Sequence, residues 1–395
     1  MICMTQNIDF DTPIDRTGTY CTQWDYVQDR FGQPGLLPFT ISDMDFAVPE
    51  PVLAALKQRL EHPVLGYSRW NHDDFKSAIS HWCQSRFSCG IDKQHVVYGP
   101  SVIYMVSKLI EQWTEPGQGV VFHTPAYDAF DKMITGQGRA CIHSPLVSRQ
   151  GRFEIDWGDL ARKLADTNNT LFLLCSPHNP TGRVWSRHDL QKLADLCEQH
   201  HVRVISDEIH MDLCFKPHTP YIGFGLSNHW ALVTSASKSF NIPALNGAWA
   251  LLPCPKARER YLHKLKEVDG LSSPSILAVL ATMAAYHEGA EWLDELNNYV
   301  QANHVYLQET LHSAFPEISY QLPDATYLAW LDLRPLKLNM AELHQALIEQ
   351  FHVAIMPGEV YGESGRGYLR LNLGCPRAKV EQGVAALIQA IKLQR

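Results

Sequence analysis

Continuous apolar runs alternate with helical periods through most of the chain. The runs Val96-Val97-Tyr98, Val120-Val121-Phe122, Leu171-Phe172-Leu173-Leu174, Val202-Arg203-Val204-Ile205 and Ala231-Leu232-Val233, with another near 248, are short and nearly unbroken. Strands buried on both faces have this pattern, because neither face needs a polar position. Between the runs the period lengthens. Residues 51–60 and 73–87 read as helices, the second with Phe75, Ile79 and Trp82 on one face, and a third runs from Ser101 through Met105 and Ile110 to Trp113. The alternation predicts an α/β fold with a mostly parallel sheet covered on both faces.

After Cys254-Pro255-Lys256 the texture changes. Residues 257–268 read as a charged helix, 274–286 as an apolar one and 292–315 as a long amphipathic one. Short strands at 327–333, 353–356 and 368–373 then mix with helices near 340–350 and 377–392, the pattern of a smaller α+β domain. Residues 1–48, punctuated by Pro13, Gly18, Gly32, Pro34, Gly35 and Pro38, read as an extended arm with short elements. The expected organisation is an arm over 1–48, a large domain over 49–288 and a small C-terminal domain over 289–395.

In parallel sheets, ligands collect beyond the carboxyl ends of the strands. Polar side chains fall just past several of these runs: Tyr127 in Thr124-Pro125-Ala126-Tyr127, Asn179 in Asn179-Pro180-Thr181-Gly182, Asp207 in Ser206-Asp207-Glu208-Ile209-His210, and Lys238 in Ser235-Ala236-Ser237-Lys238-Ser239-Phe240. A lysine among small hydroxyl residues suits a Schiff-base nucleophile, with Ser235 and Ser237 able to hold a phosphate. Singly, each has a plainer reading: a surface lysine, a helix-capping aspartate, an ordinary Asn-Pro-Thr-Gly turn, a core tyrosine. Gly99-Pro100-Ser101 opens a helix, so the backbone at Ser101, Val102 and Ile103 offers a second anion seat. Arg370 is the one arginine in the largely apolar stretch Tyr368-Leu369-Arg370-Leu371-Asn372 and needs a partner, either a bound carboxylate or one of the chain's own acids.

Composition narrows the classes. Among 395 residues, 34 Lys plus Arg against 42 Asp plus Glu give a net charge of −8 with no basic block, which disfavours direct nucleic-acid binding. The ten cysteines form no CxxC pair, so neither a metal site nor a disulfide frame is expected. No apolar run approaches the ~18 residues of a membrane span, and residues 1–11 carry acids without an apolar core, so the expected location is the cytoplasm.

Asn, Asp and Lys following three apolar runs in that order resemble the fold-type I family of pyridoxal-phosphate (PLP) enzymes. The resemblance implies a PLP-dependent transferase-like large domain in which each candidate has a role. Lys238 holds the cofactor and acts as base at the substrate α-carbon. Asp207 pairs with the ring nitrogen, Asn179 with the phenolic oxygen, and Tyr127 stacks on the ring. Ser235, Ser237, Ser101, Val102 and Ile103 hold the phosphate, and Arg370 with Asn179 grips the substrate carboxylate.

Further stretches are more specific: Asp15-Arg16-Thr17-Gly18-Thr19, Ile41-Ser42-Asp43-Met44-Asp45-Phe46, Tyr67-Ser68-Arg69-Trp70, Tyr98-Gly99-Pro100-Ser101 and Ser237-Lys238-Ser239-Phe240-Asn241. With them the chain resembles the MalY/PatB group of PLP-dependent carbon–sulfur lyases. That implies β-elimination from cystathionine or another S-substituted cysteine to pyruvate, ammonia and a thiol. It also implies a homodimer in which Tyr67 reaches the neighbouring subunit's cofactor phosphate, and binding to a maltose-regulon transcription activator. The alternatives are a PLP-dependent aminotransferase and a mainly regulatory protein-binding module. Asn246 stands where many aminotransferases carry a phosphate-gripping arginine, His210 where a tyrosine is common, and Ala236 where glycine is expected in the lyase group.

Overall fold

The apolar runs become the strands of one large sheet and the C-terminal strands a second, in a computed structural model that describes residues 8–149, 151–224 and 227–395. Cys3 lies outside the described residues; the nine cysteines within them are all free. In chain order the strands are β1 (Leu37–Phe39), β2 (Val96–Gly99), β3 (Gly119–Thr124), β4 (Ala140–Pro145), β5 (Val147–Arg149), β6 (Arg152–Glu154), β7 (Asn169–Cys175), β8 (Arg203–Asp207), β9 (Trp230–Thr234), β10 (Ala248–Leu251), β11 (Leu328–Asp332), β12 (Val353–Pro357) and β13 (Tyr368–Asn372).

The large sheet has seven strands in the order β2-β10-β9-β8-β7-β3-β4. All are mutually parallel except β10, which runs against both β9 and β2. Winding proceeds from β3 outward to β4, then returns to β7 on the other side of β3, so the connections diverge at the β3–β7 boundary. Helix Val102–Trp113 packs with Val102, Met105, Val106, Leu109, Ile110 and Trp113 inward, the three-and-four spacing of a core-facing stripe. Its start is set by Ser101, whose Oγ accepts from the Tyr104 N–H at 3.2 Å.

The smaller sheet, β1-β12-β13-β11, has its own core of Leu331, Leu343, Leu347, Ile355, Leu371 and Leu387 among others. Helix Ala290–Ala314 joins the two cores. Trp292, Leu293, Leu296 and Val300 pack into the first, and Leu307 and Leu311 into the second. The N-terminal stretch also crosses over, since β1 pairs in parallel with β12 and buries Phe39 completely in the second core.

Phe39 leaves no room on the C-terminal helix Arg377–Lys392. A Cβ on Gly383 would lie 2.3 Å from Phe39 Cζ. Glycine to alanine inside a helix ordinarily stabilises by about 1 kcal/mol. Here overpacking against a buried ring wins, and Gly383→Ala is expected to destabilise by about 1–3 kcal/mol, read as a lower urea midpoint at unchanged slope.

Candidate active site

A cavity of about 410 Å³ opens at the carboxyl ends of β3, β7, β8 and β9, where the winding of the sheet diverges. It brings together Tyr127 after β3, Asn179 after β7, Asp207 ending β8, and Ser235, Ser237 and Lys238 after β9. The helix start at Ser101, Val102 and Ile103 lines one wall, and Arg370 of β13 another. Of the candidate cofactor- and substrate-binding residues, Tyr67 stays away from this cavity; its side chain is fully exposed.

Burial shifts the central groups toward their neutral forms. Desolvation lowers the Lys238 amine to about 8; Arg370 adds to the shift, while Asp43 and Asp207 oppose it. Its Nζ donates to the Ser42 carbonyl. Desolvation raises the Asp207 carboxyl to about 7. Asp207 Oδ1 accepts from the Ile209 N–H at 3.2 Å, and Oδ2 has no hydrogen bond among the described residues. A buried carboxylate with a free oxygen calls for a cationic or N–H partner from a ligand. His210, beside it, is driven down to about 3 by burial, so its ring is neutral, and its Nδ1 is buried without a partner.

Other residues of the cavity suit a phosphate. The Ser235 hydroxyl is already engaged: it donates to Gly247 O at 2.6 Å and accepts from the Ser237 N–H at 3.1 Å, so it shapes the turn before Lys238. The Ser237 hydroxyl has no hydrogen bond among the described residues and stays available. With Asn246 in the wall in place of an arginine, the anion would be met by hydroxyls and by the N-terminal end of helix Val102–Trp113. A pyridine ring bearing an aldehyde and a phosphate fits this set: amine, ring-nitrogen acid and phosphate seat occupy one cavity.

Arg370 is 4% exposed. One guanidinium nitrogen donates to Asn179 Oδ1 at 3.3 Å and another to Thr40 O at 2.7 Å, while Nε is buried and unpaired. The guanidinium carbon lies 4.7 Å from the centroid of the Tyr361 ring, over its aromatic face. No acid of the chain pairs with Arg370 among the described residues, which leaves its charge for an incoming carboxylate.

Part of the arm expected over 1–48 forms a strap at the cavity, residues 40–46, and what was not legible in sequence is how its backbone carbonyls are taken up one after another. Arg370 binds Thr40 O; Asn372 Nδ2 donates to Ile41 O and Asp43 O, both at 2.6 Å; Lys238 and Tyr327 share Ser42 O. Asn241 Nδ2 donates to Met44 O and Phe46 O, both at 2.8 Å. Ion pairs anchor the outer side: Arg16 to Asp43 at 2.6 Å and to Asp45 at 2.8 Å, and Lys379 to Asp45 at 2.5 Å. Burial alone would raise the Asp45 carboxyl, but Lys379, Trp24 and Arg16 hold it below the usual range. The asparagines were visible as residues, yet nothing local marks an amide as a carbonyl clamp.

Residues 34–387 match the aminotransferase class I and II family. The chain is 56% identical to Protein MalY of Escherichia coli (strain K12), over 98% of this chain and 100% of that protein. It is 38% identical to cystathionine beta-lyase PatB of Bacillus subtilis (strain 168), over 97% of this chain and 100% of that one. Cystalysin from Treponema denticola, whose crystal structure contains pyridoxal 5'-phosphate, superposes with a TM-score of 0.93 at 30% identity, covering 98% of this chain and 100% of that one. With its cavity and these matches together, the chain belongs to the aminotransferase class I and II family and, within it, to the PLP-dependent MalY/PatB group.

Proposed function

We propose that the chain catalyses PLP-dependent carbon–sulfur β-elimination, converting cystathionine or a related S-substituted cysteine to pyruvate, ammonia and a thiol. The observation that carries this reading is the meeting of Lys238, Asp207 and Arg370 in one cavity of a MalY/PatB-group chain. Bound PLP supplies an electron sink for the charge left when the α-proton of the amino acid departs. Asp207 would hold a proton on the ring nitrogen, and Asn179 and Tyr127 would orient the ring. Ser237 and the backbone at Ser101, Val102 and Ile103 hold the phosphate. Arg370, over the ring of Tyr361, grips the substrate carboxylate and so aims the α-hydrogen at Lys238. Lys238 Nζ takes that proton, for which it must be neutral; burial makes this accessible near neutral pH.

A base with its amine at about 8 works only when unprotonated. Elimination from cystathionine should therefore rise with pH through that value and fall about tenfold per unit well below it. Lys238→Ala should abolish release of pyruvate and thiol together. A keto acid formed with transfer of the amino group, without thiol, would instead identify an aminotransferase.

Dimerisation is part of the proposal. The segment 63–69 carries Val64, Leu65 and the fully exposed Tyr67, and Ser68 Oγ donates to Pro274 O at 2.7 Å, beside exposed Val268 and Leu271. Such an apolar strip suits a second copy, in which Tyr67 would reach the partner's phosphate. The expected result is a two-chain species in sedimentation, with Tyr67→Phe still dimeric but retaining cofactor about tenfold less tightly. A monomer would end this part of the reading.

A second role, holding a maltose-regulon activator inactive, follows from the resemblance to the MalY/PatB group, and a net charge of −8 suits a protein partner better than an operator. Retention of the purified activator on the immobilised protein at physiological salt is expected; no retention removes this role. The proposed location is the cytoplasm. Free thiols throughout the described residues suit a reducing compartment, and no described helix is long and apolar enough to cross a membrane.

A further inference from the structure

Away from the cavity, the outer strand β4 and helix Ala129–Gly136 place three different metal-binding side chains together. Cys141 and His143 stand two residues apart on β4 and so project from the same face of the sheet. Asp131 comes from the helix packed beside it. His143 Nε2 lies 2.7 Å from Asp131 Oδ1, and Cys141 Sγ donates to the Asp131 backbone carbonyl at 3.7 Å. The sulfur, the imidazole nitrogen and the carboxylate oxygen all lie within 4.8 Å of one another.

These separations bracket those of a tetrahedral zinc site. With metal–ligand distances of about 2.0–2.3 Å, ligand atoms stand about 3.3–3.8 Å apart. The shortest separation here must open by about half an ångström and the longest must close by about one. Small χ adjustments accomplish both, since the His143 and Asp131 side chains keep 47% and 40% of their exposure. One thiolate, one imidazole and one carboxylate form a borderline-soft set that favours zinc over magnesium or calcium. An ion pair explains Asp131 and His143 but gives Cys141 no part. That thiol is raised to about 12, mainly by burial and then by Asp131, so it keeps its proton until a metal displaces it.

We propose that Asp131, Cys141 and His143 form a zinc-binding site on the edge of the large sheet, with a fourth position open to water. Zinc there ties helix Ala129–Gly136, which follows Tyr127 and contributes Ala129, Phe130 and Lys132 to the cavity wall, to the outer strand. The site is independent of the reaction proposed above.

The test is calorimetric titration of tag-free holoenzyme with zinc chloride in a thiol-free reductant. Wild type should bind one equivalent, and Cys141→Ser and His143→Gln should each weaken that binding at least about tenfold. Both variants should keep wild-type cofactor absorbance and elimination rate in metal-free buffer, which separates loss of the site from loss of the fold. Unchanged affinity in Cys141→Ser would mean that the zinc is held without this thiol and would overturn the proposal. Absence of a one-equivalent site in wild type would do the same.

Discussion

The partly buried Lys238 has a backbone carbonyl, that of Ser42, as the hydrogen-bond partner of its amine, and no carboxylate reaches it within ion-pair distance among the described residues. Much of the site depends on that choice. A carboxylate at contact distance would stabilise the ammonium and keep it charged, whereas a carbonyl satisfies one N–H and leaves desolvation to lower its basicity. The carbonyl in turn belongs to a strap that has no sheet of its own. Its oxygens are held by Arg370 and Asn372 from the small sheet and by Asn241 and Lys238 from the region after β9. Each such bond contributes on the order of 1 kcal/mol. Together they make the cavity complete only when the arm, the large sheet and the small sheet are all in place.

Asp207 and Lys238 are shifted in opposite directions by the same cause, exclusion of water. An acid raised by burial awaits a positive partner, and an amine lowered by burial can shed its proton; these are the two conditions that PLP chemistry imposes on its protein. His210 fits this economy of charge, because a neutral imidazole beside Lys238 adds no repulsion. Asn246, also in the cavity wall, likewise adds no charge there. Arg30, Lys132 and Lys238 share the cavity wall with Arg370, whose guanidinium lies against the Tyr361 ring.

The large sheet was legible because both faces of β2, β3, β7, β8 and β9 are largely buried, so each carries an apolar run with polar residues only toward its ends. Strand β4 was not recognised. It lies at the edge, half-exposed, and Ala-Cys-Ile-His-Ser-Pro has neither a continuous run nor a clean alternation. Strand β1 was equally hidden, three residues inside a stretch rich in proline and glycine, and only its pairing with β12 makes it a strand. The antiparallel course of β10 likewise leaves no mark on its composition, since burial on both faces looks the same in either direction.

By itself the sequence determined the succession of buried strands and the chemical groups at their ends, because both are written in local pattern: Tyr127, Asn179, Asp207 and Lys238 each follow a recognisable run. Only the tertiary structure decided what those groups can do. The basicity of Lys238, the raised carboxyl of Asp207 and the unclaimed charge of Arg370 arise from surroundings drawn from distant segments, as do the strap carbonyls and the meeting of Asp131 with Cys141 and His143. Desolvation and hydrogen bonding depend on which atoms exclude water from a group, and those atoms are assembled by packing over long separations in the chain.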